Sequence, residues 1–125
     1  MAKRNIEQLR IWNDARTFVV DIYRMMTDNR DFGFKDQIQR AAVSIMNNIA
    51  EGSEYQSDAT FIRYLNIAKG SCAEVKSMLY LCEDLGYCNK EKRERLQAQL
   101  LSLSSGIYKM IVYLSNNNNK TPVDS

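Results

Sequence analysis

Five polar side chains follow one another at three- and four-residue steps: Gln37, Arg40, Ser44, Asn48 and Glu51. On an α-helix this spacing places them along one edge, about 100° around from an apolar stripe at Ile38, Ala42, Ile45 and Ile49. An amide, a guanidinium, a hydroxyl and a carboxylate in one row could hold a polar ligand. They could equally bond to a neighbouring helix and cap loops, because buried polar groups require partners. A nucleophilic role for Ser44 needs a base beside it, and the chain contains no histidine, the commonest general base and metal ligand. The Glu-x-x-His pairs of di-metal bundles and a phosphate-binding glycine loop are likewise missing from the sequence. The expectation is a protein that is not an enzyme, with no catalytic residue, metal or cofactor and no small-molecule substrate.

Phosphate binding is the other chemistry the residues suggest. Residues 1–30 carry six Lys/Arg against four Asp/Glu, residues 86–125 six against three, and residues 31–85 five against eight. The net charge of +2 therefore conceals basic ends and an acidic middle. The candidate nucleic-acid contacts are Lys3, Arg4, Arg10, Arg16 and Arg24 together with Lys90, Lys92, Arg93 and Arg95. Lys90, Lys92 and Arg93 fall near the start of a helix, where the dipole disfavours cations, and an anionic partner would relieve that conflict. Against this, Glu91 stands four residues before Arg95, the favourable order for an intrahelical pair, and a solvated charged face explains the cluster as well. No zinc-finger spacing, helix-turn-helix or aromatic–basic sheet motif is visible.

The elements that must position these groups are helices. Pro122 is the only proline, and the helical pattern breaks at residues 29–34, 52–57 and 86–89. Residues 10–28 carry Trp12, Ala15, Val19, Ile22, Tyr23 and Met26 on one face, and residues 35–51 carry the Ile38–Ile49 stripe. A third segment follows Ser57, a candidate N-cap, with Phe61, Leu65, Ala68, Cys72, Val75, Leu79 and Cys82 in unbroken steps of four and three. Gly86 then offers the left-handed position that ends a helix. A fourth, after Asn89, repeats the spacing with Leu96, Leu100, Leu103, Ile107, Met110 and Leu114. Long amphipathic helices joined by short connections predict an all-α fold, an antiparallel up-and-down four-helix bundle, over residues 1–115 with a disordered tail at 116–125. Two of the three cysteines, Cys72 and Cys82, lie on the third stripe, which suits reduced core thiols and a structural rather than a redox or metal role. The sequence has no apolar run of membrane-spanning length, and MAKRNIEQLR does not resemble a signal peptide. A cytoplasmic location is expected.

Apolar residues exceed what one bundle face needs. Extra rows occur at Ile11, Phe18 and Met25, at Ile67, Met78, Leu81 and Leu85, and at Leu101, Tyr108 and Val112. Repeating rows of this kind mark interfaces, so self-association is expected through them. Gly70 points the same way: a glycine within a helix costs about 1 kcal/mol relative to alanine, and close approach of another backbone, within the bundle or between subunits, would account for it.

The string QIQRAAVSIMNNIAEG at 37–52 closely resembles the signature of the four-helix-bundle proteins encoded in intervening sequences of 23S ribosomal RNA genes, a family long labelled as a ribosomal protein. LRIWNDA, with Leu9, Ile11, Trp12 and Ala15, resembles that family's opening motif, FIRYLNIAKGS at 61–71 its third-helix motif, and Leu85, Gly86 and Tyr87 the following turn. The resemblance implies a homopentameric ring of bundles without known enzymatic activity. More distantly, the chain is similar to accessory proteins of diversity-generating retroelements, which implies nucleic acid or a reverse transcriptase as partner. Met46 stands where the family often has proline, the first loop is shorter and lacks its usual Phe-Pro, and Glu54 and Tyr55 stand where a basic residue is common. The last change weakens RNA contact at that loop. The expected function is that of a non-enzymatic self-assembling protein, the alternative being an RNA- or nucleic-acid-binding accessory protein.

Overall fold

A computed structural model describes residues 4–118. A short 3₁₀ turn (Ile6–Gln8) leads into four helices, α1 (Arg10–Met25), α2 (Phe32–Ser53), α3 (Asp58–Asp84) and α4 (Lys90–Asn118). α1 packs on α2 and α4, and α3 packs on α2 and α4, with the α1–α4 side the most lightly packed. This is the antiparallel up-and-down four-helix bundle that the periodicity predicts. Lys3 and the tail residues 119–125 lie outside the described residues. α4 continues to Asn118, so residues 116–118 belong to the helix and not to the tail in which they were expected.

Capping chemistry sets the helix ends. Asp31 accepts from the Phe34 amide at 3.2 Å, Ser57 from the Thr60 amide at 3.2 Å, and Asn89 from the Lys92 amide at 2.8 Å; each satisfies an otherwise orphaned N–H. Asp31 is the reason α2 begins at Phe32, three residues before the expected start at residue 35. At the end of α3, Gly86 takes φ +77°. The Gly86 and Tyr87 amides then donate to the carbonyls of Glu83 (3.0 Å) and Cys82 (2.8 Å), a Schellman closure. Tyr87 also clasps two helices together: its hydroxyl donates to Asp31 at 2.6 Å and its ring meets Phe34 edge-on at 5.3 Å.

The core follows the sequence closely on three helices. The predicted rows of α2 and α3 are wholly buried, as are Leu96, Leu100, Leu103, Ile107 and Leu114 of α4, while Met110 is half-buried. On α1 the phase differs. Ile11, Ala15, Phe18, Ile22 and Met26 form the buried row, Trp12 and Val19 lie at its edge, and Tyr23 is 45% exposed. Ile11 and Phe18, expected to contact another subunit, are therefore core residues, and Met25 is half-buried beside them. Two apolar rows lie side by side on this helix, and burying Phe18 removes the larger side chain from water. Met78 is likewise buried and supplies no outward surface.

The glycines also exchange expected roles. Gly52 does not break α2; it lies inside the helix at the crossing with α3, where a Cβ would fall 2.6 Å from Tyr64 Cβ and 2.9 Å from the Phe61 ring. A Cβ at Gly70 would meet nothing within 4 Å, so no approach within the bundle explains that glycine.

Two predictions follow from the packing. Gly52→Ala should lower stability by about 2 kcal/mol despite alanine's better helix propensity, because overpacking a filled crossing costs about 1–3 kcal/mol; a urea titration reads it as a lower midpoint. Asp31 is held below the ordinary carboxyl range first by the Tyr87 hydroxyl and then by the Phe34 amide. The stabilisation is thus present above the unfolded value of about 3.9 and lost as pH falls through the depressed folded value. The stability gap between wild type and Asp31→Asn should be widest near pH 6 and should close in strong acid; a gap that is constant with pH would contradict the linkage.

Candidate functional site

The polar row on α2 divides into three parts. Ser44 and Ser71 hydroxyls lie 2.8 Å apart across the α2–α3 crossing, and the Asn48 amide donates to the Ser44 carbonyl (2.8 Å) and hydroxyl (3.0 Å). Arg40 pairs with Asp36 at 2.8 Å on the surface, with side chains 79% and 64% exposed, a geometry that contributes little. The Tyr64 hydroxyl approaches Glu51 at 3.5 Å, and Gln37 is exposed. The row thus joins helices at its centre and meets solvent at its ends. The neighbours of the Ser44 hydroxyl are another hydroxyl and an amide, neither of which takes a proton at neutral pH.

Burial pushes the Cys72 thiol up to about 12, and burial with the adjacent Cys88 thiol pushes Cys82 up to about 12. Both remain protonated at neutral pH, and the thiolate is the reactive form. Cys82 lies 4.0 Å from the Met25 sulfur. Among the described residues, no group of three or more Cys, Asp or Glu is arranged to hold a metal ion. Among the described residues, no helix is long and apolar enough to cross a membrane.

The candidate cations do not gather on one surface, although α1 and α4 are neighbours as expected. Arg10 stands 3.8 Å from Asp14 and shares a groove between α1 and α4 with Lys109. Arg16 turns over the Trp12 ring, 5.0 Å from its centroid. Arg24 lines a separate groove between α1 and α2 with Lys35. Lys92 and Arg95 adjoin Met25, Tyr87 and Cys88, at the other end of the bundle from Arg10, and Lys90 is exposed nearby.

Two of the cations are occupied within the fold. Arg93 donates to Glu83 at 2.7 Å and to Gln97 at 2.9 Å, lies over Tyr80, and has a side chain only 15% exposed. Its pKa is raised, chiefly by the Glu83 hydrogen bond. Arg4 donates to Asp58 and to the Tyr55 carbonyl and stacks on Phe61, fastening the N-terminal segment to the α2–α3 turn. Glu91 and Arg95 do not come within ion-pair distance, because an exposed i, i+4 pair gains too little to fix two long side chains. Sequence spacing gave no sign of the Arg93–Glu83 contact, which spans the α3–α4 turn.

What remains open is apolar. Ile67 and Leu81 on α3 and Leu85 at its C-terminal cap are 44–48% exposed, and on α4 Leu101 is 67%, Tyr108 55% and Val112 39% exposed. Ala98, Leu101, Ser105, Tyr108 and Val112 recur in steps of three and four along the outer side of α4, and all are exposed. Beside them a groove of about 470 Å³ runs between α3 and α4, lined by Lys69, Ala73, Lys76, Gln97, Leu101 and Ser104. Lys69 lies over the Tyr108 ring at 5.0 Å. Tyr80, 48% exposed, joins this face without having been singled out from the sequence; it stands four residues after Lys76, a spacing that shares a helix side.

Comparison with curated proteins yields no match. Among solved structures, a protein of unknown function from the S23 ribosomal protein family of Bacteroides thetaiotaomicron is similar, with a TM-score of 0.75 and 28% identity over 81% of this chain and 97% of that one. The model of the 23S rRNA-intervening sequence protein family matches residues 7–109, a stretch that includes the α2 signature, the Gly52 crossing and the Schellman turn at Gly86, and the chain belongs to that family.

Proposed function

We propose that this protein is a non-enzymatic, self-assembling bundle of the cytoplasm that works through its outer surface. The observation that carries the reading is the exposed row Ala98, Leu101, Ser105, Tyr108 and Val112 on α4. Spacing of three and four, with Leu101, Tyr108 and Val112 set beside the small Ala98 and Ser105, is that of a helix seam built to meet another helix. An unpartnered row of this length marks an interface more often than a solvent face. The family resemblance supports a ring of five as the assembled form. The non-enzymatic part is supported by the interior chemistry: the Ser44 hydroxyl lacks a base, and the Cys72 and Cys82 thiols are held protonated.

The second reading, an accessory protein that contacts RNA or a nucleic-acid-processing partner, draws on Lys92 and Arg95, which form no ion pair among the described residues at the start of α4. Repetition of that corner around a ring would multiply a small charge, and binding through it must weaken as salt rises.

Light scattering on purified protein at micromolar concentration should give a mass near five times the 14.5 kDa of one chain. Tyr108→Arg, which places a charge in the α4 row, should reduce that mass while leaving helicity unchanged. A wild type that runs as a monomer would sink the assembly reading. Titration of a ribosomal RNA fragment at low and high salt tests the second: affinity at low salt that falls for a Lys92→Glu/Arg95→Glu variant supports it, and no salt-dependent affinity removes it.

A further inference from the structure

α3 carries a second outward row. Ile67, Gly70, Glu74, Ser77 and Leu81 recur in steps of three and four, and all are exposed. They lie on the outer side of α3, between Ser71, which bonds to Ser44 of α2, and Lys69, Ala73 and Lys76, which face the groove shared with α4. Gly70 sits within this row with open space where a Cβ would be, and helical glycine lowers stability without some compensating contact. The row on α4 and the row on α3 thus occupy different faces of one bundle.

We infer that these two rows are partners: the α4 row of one copy docks antiparallel on the α3 row of the next, with Tyr108 over Gly70. This rests on the self-assembly reading and specifies its surfaces. Both rows span fourteen residue steps, 67 to 81 and 98 to 112, about 21 Å at 1.5 Å per residue. In antiparallel alignment large meets small at three of the five positions, Tyr108 on Gly70, Leu101 on Ser77 and Leu81 on Ala98, while Ile67 meets Val112 in an apolar pair at one end.

The charges agree with that register. Glu74 lies opposite Ser105, between Leu101 and Tyr108. On the copy carrying the α4 row, Lys76 lines the groove beside Leu101 and Lys69 lies over Tyr108. Glu74 makes no ion pair among the described residues of its own chain, and it would enter between two lysines of its neighbour. Gly70 then has its reason, since a side chain there would hold the aromatic ring away. Because the two faces differ, the contact is heterologous, and repetition closes a ring or extends a chain.

Complementation tests the pairing. Gly70→Arg blocks the α3 row and leaves the α4 row intact; Leu101→Arg does the reverse. Neither change touches the core, since Gly70 faces open space and Leu101 is 67% exposed. Each variant alone should run at the single-chain mass of 14.5 kDa, and an equimolar mixture should give a dimer of twice that mass and nothing larger. Ser77→Arg mixed with Tyr108→Arg provides a second pair on the same rows, and circular dichroism confirms that all four variants fold. A mixture that stays monomeric, or a single variant that keeps the wild-type mass, overturns the pairing and leaves self-assembly standing. A monomeric wild type overturns both.

Discussion

The close approach of α2 to α3 governs what the rest of the bundle can do. Gly52 permits it: with any side chain at that position, Tyr64 and Phe61 would have to move. Two turns earlier on α2, the same proximity brings Ser44 within 2.8 Å of Ser71, and Asn48 completes a closed set of donors and acceptors. The centre of the polar row is thereby occupied in holding two helices at a fixed spacing. Its hydroxyl is bonded to a second hydroxyl and an amide, so the centre of the row serves the packing between helices, the reading its spacing allowed from the start.

The ends of the bundle are fixed by a similar economy of contacts. Tyr87 follows the Schellman turn of α3 and reaches the residue that caps α2, so one hydroxyl joins the end of one helix to the start of another. At the opposite end, Arg4 binds Asp58 and Phe61 and so fastens the segment before α1 to the α2–α3 turn. Arg93 ties α4 back to Glu83 of α3. Two of the nine cations that composition suggested for an anionic partner are therefore structural, and the remaining described ones point away from several different faces. A charge count along the chain records none of this, because whether an arginine is free depends on residues that approach it from another element.

The bundle was legible wherever one apolar row dominated a helix. α3 and α4 carry unbroken repeats, and every expected core position on α3 is buried. α1 was misphased because Ile11 and Phe18 lie in a row directly beside Trp12 and Val19. Which row turns inward depends on where α2 and α4 stand, information that is not local to the helix. Gly52 and Gly70 show the same limit from another side: both are glycines in helices, yet a Cβ at one would fall 2.6 Å from Tyr64 Cβ while a Cβ at the other would meet none of the described residues within 4 Å. Of the surface rows, Ile67, Leu81, Leu101, Tyr108 and Val112 remain exposed, since each lies on the far side of its helix from a repeat that was already complete.

A helix with one apolar repeat can be satisfied by a single bundle, but α4 also exposes Leu101, Tyr108 and Val112, and α3 exposes Ile67 and Leu81 at the ends of an outer row that holds Gly70, Glu74 and Ser77 between them. Their inner repeats fill the core from Phe61 to Cys82 and from Leu96 to Leu114, which leaves the outer rows exposed among the described residues. Each exposed leucine or tyrosine in such a row forgoes about 25 cal/mol for every Å² of apolar surface left in water. Scattered along a surface, that cost is ordinary; aligned at the spacing of a helix seam on two adjacent helices, with a bare glycine in one row and a tyrosine in the other, it is what the proposed contact between copies would recover. The fold thus completes its own core within four helices and leaves outer rows on α3 and α4 exposed, the surfaces through which we propose that copies of the chain meet.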